Sequence, residues 1–537
     1  MRGQAVNPAP SSPLIASLLK PDAYDHPVGT VELIETHISW VILTGNYAYK
    51  IKKPVDLGFV DFSTLAKRRH FCAEEVRLNR RLAPEFYLGV VPLTGSPDAP
   101  RVGGDGGAIE YAVKMRQFSP SAQLDRMLGR GELEGHHLDA FARLIADFHQ
   151  RIPIAGVSLK HGEPEQVIAP AMENFPDLRQ CLPDPVSAKC IAELERWTIT
   201  TFARLRENFQ RRKRDGFVCE CHGDLHLRNL AWVNDGPLAF DCLEFNPDLR
   251  WIDVMNEAAF LVMDLEARHQ SQLAARFLNL YLERTGDYAG LAVLPFYRVY
   301  RALVRAKVDG IRAQQPGTDE REKDLAEREA RRYLALARHY TQPGRPRLIL
   351  TRGVSASGKT TLSGTLVESL GAIRLRSDVE RKRLSGLPAE ADARAGVGQG
   401  IYDAAGSRRT YARLLDMASQ VLDAGFPVVV DAAFLEASQR APFRALAAAR
   451  GIACTIVEAV APPALLRERI ANRARGASDA ELAVLEHQLD TWQPLTLDEG
   501  AQAVRVDTAI PLDLDNLCAR LAEHFRAGET SFPATAP

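Results

Sequence analysis

The chain has 537 residues, of which 46% are apolar and 25% are charged, a composition typical of globular proteins with more than one domain. This composition excludes a wholly disordered or fibrous chain. The 67 Lys and Arg residues against 68 Asp and Glu residues leave a formal charge of -1, so nucleic acid is not favoured as a partner and would need a local basic site.

The cysteines and the apolar segments predict a compartment. The eight cysteines are scattered along the chain instead of framing a small domain, which favours reduced thiols. Pro and Ser interrupt the first twenty residues, and no apolar stretch approaches the ~20 residues that span a bilayer. We therefore expect a cytoplasmic protein with no membrane partner.

The first part of the chain predicts strands followed by helices, an α+β order. Residues 1–27 predict a flexible tail. Residues 31–53 alternate in polarity around a Gly45–Asn46 turn, which predicts two or three antiparallel strands. A helix that ends at Pro84 follows, and helical spacing dominates from about residue 187 apart from 216–242.

The sequence HGDLHLRNL at 222–230 predicts a phosphotransfer site. It contains Asp224 and, five residues later, Asn229, and the next apolar strand ends at Asp241. In a kinase-type site, the loop carboxylate accepts the proton of an alcohol, while the Asn and the second Asp hold magnesium. Lys50 on an early strand and Glu75 on the following helix complete the constellation.

A zinc site is an alternative interpretation of the same segment. Cys219, Cys221, His222 and His226 lie close together in the sequence. Their spacing differs from the usual C-x₂₋₄-C pattern, and alternating strand cysteines more often pack in a core.

These residues make the segment 28–340 resemble the aminoglycoside phosphotransferase family, a branch of the protein-kinase-like fold. The resemblance implies that Lys50 contacts nucleotide phosphates with Glu75 as its ion-pair partner, and that Asp224 is the base. It also implies metal binding by Asn229 and Asp241, and a brace for the catalytic loop at Asp253. Two features depart from the pattern: Glu35-Thr36-His37 stands where a Gly-rich flap is expected, and Lys52 competes with Lys50 because both point to one face of the strand.

Residues 341–346 predict a linker between this segment and a second domain at 347–527, and 528–537 predict a second flexible tail. Strand and helix patterns alternate in the second domain. That order predicts an α/β fold with a parallel sheet covered by helices on both faces.

GVSASGKT at 353–360 matches the phosphate-binding pattern G-x-x-x-x-G-K-[ST] between a strand and a helix. The glycines let backbone N–H groups point at phosphate oxygens, Lys359 reaches the terminal phosphates, and the Thr360 hydroxyl can ligate magnesium. We assign nucleotide binding to this loop and the helix start: Gly353, Ser355, Ser357, Gly358, Lys359, Thr360 and Thr361.

Three further positions extend this predicted site. Asp378 and Arg381 lie one helical turn apart, where a carboxylate can accept a hydroxyl proton and a guanidinium can bind the substrate; a simple helix start is the alternative. Asp431 ends an apolar strand. One interpretation of this carboxylate is a magnesium ligand, and the alternative is a solvated strand end. A lid that carries Arg469, Arg473 and Arg475 is one interpretation of the later arginines, and an exposed helix face is the other.

The segment from about 345 to 526 resembles the P-loop kinase family that includes polynucleotide kinases, gluconate kinases and zeta-toxin-like enzymes, on GVSASGKTT, SDVERKR and VVVDAAF in family order. The resemblance implies that Asp378 is the catalytic base, that Arg381 contacts substrate or phosphate, and that Arg473 belongs to the lid. The tandem resembles bacterial fusions of an aminoglycoside phosphotransferase domain with an ATP-binding domain.

The sequence therefore predicts two modules that use ATP and Mg²⁺ to phosphorylate hydroxyl groups of small molecules or nucleotides. A regulatory ATPase, with the N-terminal module as a non-catalytic switch, is one alternative, and the missing Gly-rich flap favours it. A nucleic-acid-end kinase is another, which the Asp378–Arg381 pattern favours and the neutral net charge disfavours. The acceptor substrate and the oligomeric state do not follow from the sequence.

Overall fold

The computed structural model describes residues 12–58, 60–315, 319–389, 391, 403–472 and 482–530. These residues form two compact units. The first contains the described residues of Met1–Ala140, Asp147–Ala169 and Phe209–Leu261, and the second those of Phe141–Ala146, Pro170–Asn208 and Val262–Pro537. Among the helices of the described residues, none is long and apolar enough to cross a bilayer.

The N-terminal elements form an antiparallel sheet with one long helix. In chain order they are α1 (Pro13–Leu18), β1 (Glu32–Glu35), β2 (Ser39–Leu43), β3 (Tyr47–Lys52), α2 (Leu65–Asn79), β4 (Tyr87–Ser96), β5 (Ala99–Val102) and β6 (Glu110–Arg116). The six strands are ordered β1-β2-β3-β6-β4-β5. The predicted antiparallel strands and their turn at Gly45, whose φ is +94°, are confirmed.

Part of the segment predicted as a flexible tail instead forms helix α1. Pro13 stands at the first helical position, where its missing N–H costs nothing. Ile15 and Leu18 are buried in one cluster with Ile42, Tyr49 and Leu93 of the sheet. Burial of these two side chains against the sheet accounts for the ordered helix.

The middle of the chain carries helices and two short strand pairs. The elements are α3 (Leu124–Gly129), α4 (Gly135–His149), α5 (Pro164–Met172), α6 (Asn174–Cys181), α7 (Pro185–Arg214), β7 (Val218–Glu220), β8 (Leu230–Val233), β9 (Gly236–Ala239), β10 (Trp251–Asp253) and α8 (Val254–Ala267). Strand β7 pairs with β10, and β8 pairs with β9, both antiparallel. The loops that follow β7 and β9 carry the predicted catalytic segment and Asp241.

Helices continue the second unit up to the predicted linker. They are α9 (Ser271–Thr285), α10 (Leu294–Ala313) and α11 (Glu320–Tyr340). Tyr333, Leu334 and Ala337 of α11 are buried, as the helical spacing of this charged segment requires. The boundary at 341–346 stays a prediction, because helices on its N-terminal side belong to the same compact unit as the elements that follow it.

The C-terminal elements form a parallel sheet between helices. They are β11 (Leu348–Arg352), α12 (Lys359–Leu370), β12 (Ile373–Arg376), α13 (Ser377–Leu384), α14 (Ala404–Asp423), β13 (Val428–Asp431), α15 (Ala437–Ala449), β14 (Cys454–Val460), α16 (Pro463–Ala471), α17 (Leu482–Thr491), α18 (Leu497–Ala501), β15 (Ala503–Asp507) and α19 (Leu514–Thr530). All pairings are parallel in the order β12-β13-β11-β14-β15. The predicted α/β fold is confirmed.

The strand order places the phosphate-binding loop at a crevice. Strand β11 is central: the chain leaves it for β12 and β13 on one side and then crosses to β14 and β15 on the other. In open α/β sheets, ligands bind at the carboxyl ends of the strands where this reversal occurs. The loop after β11 lies at that point.

A buried ion pair joins two C-terminal helices. Arg440 of α15 is fully buried and makes two hydrogen bonds of 2.8 Å to the Glu499 carboxylate of α18. The Glu499 carboxylate also accepts a hydrogen bond from the N–H of Thr496, so that it caps its own helix. Neither charge has ready access to water.

We expect Arg440→Met to lower the free energy of unfolding by about 3–5 kcal/mol, because it leaves the Glu499 carboxylate buried without its cation. Urea denaturation of the full chain measures the loss. The control is Arg467→Met, which removes an exposed pair with Glu486 and should leave the transition in place. Equal transitions for the two variants would contradict the importance of the buried pair.

Candidate active sites

The loop after β7 brings Asp224 and Asn229 together. The Asn229 amide donates to the Asp224 carboxylate and to the Asp224 carbonyl oxygen, each at 3.0 Å. The side chain of Asp224 is 38% exposed, and His226 Nε2 lies 3.4 Å from its carboxylate. A carboxylate held in this way keeps a defined direction and remains accessible to a ligand.

His222, two residues before Asp224, is fully buried. Its Nε2 donates to the Phe240 carbonyl oxygen at 2.9 Å, and its Nδ1 accepts from the Asp224 N–H at 3.3 Å. Burial lowers the pKa of His222, which favours the neutral ring that this donor and acceptor pattern needs. The ring is a support of the loop after β7.

The thiols of the alternative zinc interpretation have other partners. Cys219 and Cys221 each donate to a backbone carbonyl oxygen at 3.5 Å. Burial raises the pKa of Cys219 to about 12 and that of Cys221 well above its ordinary value, so both remain protonated. Zinc binds thiolates, and this arrangement does not favour it.

Glu257 is a support of the loop that the sequence reasoning missed. It is fully buried, accepts the N–H of Gly223 at 2.6 Å, and lies 2.8 Å from His149 Nε2. Burial opposes its charge, but His149 holds the pKa of Glu257 at about 2. Cys221 lies close enough to complete a metal-ligand triplet, yet the two Glu257 oxygens already bind the loop and the histidine. Asp253, implied as the brace, pairs with Arg212 at 2.6 Å.

Lys50, Glu75 and Asp241 meet on one side of the antiparallel sheet. The Lys50 ammonium lies 2.9 Å from Glu75 and 2.5 Å from Asp241. Burial by itself would lower the pKa of Lys50, and the carboxylates of Asp241 and Glu75 more than reverse this. The φ of Asp241 is +64°, a left-handed conformation that is uncommon outside glycine and concentrated at functional sites.

Lys52 occupies a different environment from Lys50, although both lie on the same face of β3. It pairs with Glu75 at 2.8 Å and with Glu244, and its side chain is fully buried. The side chain of Asp241, the partner of Lys50, is 45% exposed, whereas that of Glu244 is 4% exposed. Of the two lysines, Lys50 is therefore the one beside an accessible carboxylate.

Arg81 connects the end of α2 to the loop after β7, and sequence reasoning missed this residue as well. Its guanidinium donates to the carbonyl oxygens of Glu220 at 2.5 Å and of Cys221 at 3.1 Å, immediately before His222. Arg81 lies in the turn that directly follows α2, the helix of Glu75, so it links the end of this helix to the loop. The position of Arg81 in the sequence, six residues after Glu75, does not predict this contact.

The P-loop forms the predicted tight turn before α12. The φ of Gly353 is +148°, and a Cβ atom there would lie 2.5 Å from the Ser357 hydroxyl and 2.6 Å from the Ala459 carbonyl oxygen. The Lys359 ammonium donates to the Val354 carbonyl oxygen at 2.8 Å. The buried Ser357 hydroxyl makes no hydrogen bond to any described residue. The turn therefore needs glycine at position 353, and the Ser357 hydroxyl is left as a donor for a ligand oxygen.

A cavity of about 1270 Å³ brings the other predicted residues of this module together. Its walls include Ser355, Gly358, Lys359, Thr360, Thr361, Asp378, Arg381, Asp431 and Arg469. The Asp431 carboxylate accepts a hydrogen bond from the Ser363 hydroxyl at 2.9 Å, which orients it. Ser363 is one helical turn after Thr360, a spacing that the motif does not include.

Asp378 combines burial with several nearby charges. Burial and the nearby Asp431 carboxylate raise the pKa of Asp378. The positive charges of Arg376, Arg381 and Lys359 lower it, but the pKa is raised overall. No described residue makes a hydrogen bond with its carboxylate. Such a group can accept a proton from a ligand in the cavity.

The arginines of the predicted lid are only partly described. Arg469 donates to the carbonyl oxygen of Ala356 at 3.2 Å and to the Thr508 hydroxyl at 3.0 Å, so it supports the phosphate-binding loop. Arg473 and Arg475 lie outside the described residues. Arg381 donates to the Ser407 hydroxyl at 3.1 Å.

Two family models match the chain. Residues 70–294 match the phosphotransferase enzyme family, and residues 348–495 match an AAA domain. Uncharacterized proteins of Mycobacterium tuberculosis and Mycobacterium bovis are each 34% identical over 493 residues, which cover 90% of this chain and 94% of theirs. The similarity therefore extends over both modules.

Solved structures match one module each. A gluconokinase of Sinorhizobium meliloti is 23% identical over 35% of this chain and 94% of its own, with a TM-score of 0.23. The APS kinase of Mycobacterium tuberculosis is 21% identical over 34% of this chain and 99% of its own, with a TM-score of 0.26. A choline/ethanolamine kinase family protein of Mesorhizobium loti is 11% identical over 58% of this chain and 93% of its own, with a TM-score of 0.34.

We expect Lys52→Met to lower the free energy of unfolding by about 3–5 kcal/mol, since it removes a buried cation between two buried carboxylates. The free energy of unfolding should fall less for Lys50→Met, because Glu75 still pairs with Lys52. Asp241, the other partner of Lys50, can be hydrated. Urea denaturation of the full chain provides the comparison, with Lys53→Met, which breaks a peripheral pair with Glu35, as the matched control. A larger loss for Lys50→Met would show that the two lysines have been assigned the wrong way round.

Proposed function

Because the chain belongs to the same two-module family as the mycobacterial proteins, we propose that each module transfers the γ-phosphoryl group of ATP to an alcohol. It is a kinase-like phosphotransferase, with a phosphotransferase-family module followed by a P-loop module. The acceptor class that we propose is a small molecule or nucleotide with a free hydroxyl group. The observation that carries the proposal is that Lys359, Asp378 and Asp431 of the P-loop module line one cavity, and the pairing of Lys50 with Glu75 and Asp241 in the first module supports it.

In the N-terminal module, Asp224 is the proposed base. The acceptor oxygen forms a bond to the γ-phosphorus while the bond from that phosphorus to the β,γ-bridging oxygen breaks, and ADP leaves. The hydroxyl proton passes to the Asp224 carboxylate, which Asn229 orients. Lys50 contacts the nucleotide phosphates, and Glu75 keeps the ammonium in place.

Asn229 and Asp241 are the proposed magnesium ligands of this module. Oxygen ligands from an amide and a partly exposed carboxylate suit this hard cation, which keeps several waters. When bound, the ion neutralises charge on the phosphate oxygens. The Asp241 carboxylate lies 2.5 Å from the Lys50 ammonium, which is the proposed phosphate contact.

In the C-terminal module, Asp378 is the proposed base, Arg381 the proposed acceptor contact and Lys359 the proposed phosphate contact. The predicted nucleotide-binding residues of the P-loop extend from Gly353 to Thr361, and the N–H groups of the helix start, Gly358–Thr361, are the proposed donors to the triphosphate. The N–H groups of Gly353, Ser355 and Ser357 donate to Ala433, Gln488 and Val354 in this structure. Thr360 and Asp431 are the proposed magnesium ligands. Arg473 is kept as a proposed lid residue on the motif alone.

A regulatory switch in the N-terminal module is the second candidate. The connection between β1 and β2 is a short turn in which the Thr36 hydroxyl and N–H both donate to the Ser39 carbonyl oxygen. This turn contains no Gly-rich segment to cover phosphates. A switch binds nucleotide and transfers nothing. The variant below separates the two candidates.

We expect Asp224→Asn to lower transfer by the N-terminal module about 10²- to 10⁴-fold while ATP binding is retained, because the isosteric amide cannot accept the proton. The assay follows label from γ-labelled ATP into a metabolite extract, in an Asp378→Asn background that silences the other module. Asp235→Asn, in the exposed turn between β8 and β9, is the matched control. A transfer rate that is unchanged by Asp224→Asn would leave the switch as the better account.

The rate of transfer by the C-terminal module should depend on pH. Transfer needs ionised Asp378, and since its pKa is raised, the rate should fall with decreasing pH at a higher pH than for an ordinary aspartate. We measure the profile in the Asp224→Asn background. Asp378→Asn should remove most of the rate together with this acid limb, whereas Asp416→Asn, on the exposed side of α14, should keep both. An acid limb that survives in Asp378→Asn would exclude this residue as the base.

A further inference from the structure

Helix α9 packs on the edge strand of the parallel sheet, although it lies within the residues that match the phosphotransferase model. The Asn279 amide donates to the Ala372 carbonyl oxygen at 2.9 Å, and its oxygen accepts the N–H of Arg374 at 2.7 Å. Strand β12 is at the end of the sheet, so its outer backbone groups need partners. One side chain of α9 supplies both a donor and an acceptor.

Glu283, one turn further along α9, binds two arginines of the same strand. Its carboxylate lies 2.6 Å from Arg376 and 3.2 Å from Arg374. The residue is 7% exposed, so these charge-assisted bonds are shielded from solvent. The contact holds the Arg376 guanidinium against α9.

Arg376 lies beside the two acidic residues of the C-terminal site. In the register of β12 and β13 it stands opposite Asp431, and it precedes Asp378 by two residues. Paired residues of neighbouring strands point to the same face of a sheet, and Arg376 also lines the cavity. Burial would lower its pKa, but Glu283, Asp431 and Asp378 raise it overall. Three carboxylates thus attract one guanidinium.

We propose that Glu283 is a positioning residue of the C-terminal site, because it holds the Arg376 guanidinium away from Asp378 and Asp431. Both carboxylates then remain available, one to the acceptor hydroxyl and the other to magnesium. This inference rests on the function proposed above for the C-terminal module. It makes a helix of the phosphotransferase-matched segment part of the machinery of the P-loop kinase.

The test uses the full chain in the Asp224→Asn background, so that transfer reports the C-terminal module alone. Glu283→Gln keeps the shape of the side chain and removes its charge. We expect kcat to fall about 10- to 100-fold and the half-saturating magnesium concentration to rise, with KM for ATP unchanged. Glu368→Gln breaks the Arg276–Glu368 pair between α9 and α12 and should change neither kcat nor the magnesium dependence.

A double variant tests the cause. If unrestrained Arg376 blocks the carboxylates, Glu283→Gln combined with Arg376→Gln should recover most of the lost kcat and restore the magnesium dependence. A double variant as slow as Glu283→Gln would overturn the proposal. So would equal effects of Glu283→Gln and Glu368→Gln, since a general weakening of the packing of α9 would then explain both.

Calorimetric titration of ATP at several magnesium concentrations separates this inference from the proposed function. The Lys50→Met variant is used, so that the heat reports the P-loop. If the parent binds ATP and transfers nothing, the proposed function fails, and the inference is decided by binding alone: it survives only if Glu283→Gln needs more magnesium than Glu368→Gln does. A parent that binds no ATP overturns both.

Discussion

A carboxylate that is removed from water must have a cation or strong hydrogen-bond donors beside it, and Glu75 meets this constraint with two lysines. It lies at the point where the antiparallel sheet, helix α2 and the loop after β9 come together. Burial opposes its charge, and Lys50 and Lys52 together hold the pKa of Glu75 below its ordinary value. Because each ammonium also binds another carboxylate, the position of one side chain determines where Asp241 and Glu244 can lie.

The same constraint recurs at each point where an element must be fixed relative to a site. Glu257 satisfies its charge with His149 and the Gly223 N–H, and so supports the loop after β7. Glu499 satisfies its charge with Arg440 between two helices of the parallel-sheet module. Such pairs add little net stability relative to apolar packing, yet loss of one partner is costly. Their contribution is a defined geometry, which a site for phosphoryl transfer needs more than additional stability.

The relation of Glu283 to Arg376 extends this reasoning to the division of the chain into modules. By sequence, α9 falls within the segment that matches the phosphotransferase model, and the P-loop module begins about sixty residues later. By packing, α9 completes the edge of the parallel sheet and neutralises the arginines of β12. A boundary drawn from composition shows where the chain is extended and polar. It does not show which helix packs against the edge strand of the sheet.

The sequence by itself determined the elements and the short-range chemistry. Strand alternation, helical spacing and the turn at Gly45 follow from local conformational preferences, and the spacing of Asp224 to Asn229 and of Gly353 to Thr360 follows from loops in which neighbouring residues meet the same ligand. Only the tertiary structure distinguishes the environments of Lys50 and Lys52, because both lie on one face of β3 and only their partners differ. It also ordered part of the predicted tail as α1, since the surface that buries Ile15 belongs to strands further along the chain. Glu257 and Glu283 had no local signal, because each acts on a residue far away in the sequence, and a buried charge is neutralised by whatever the fold places beside it.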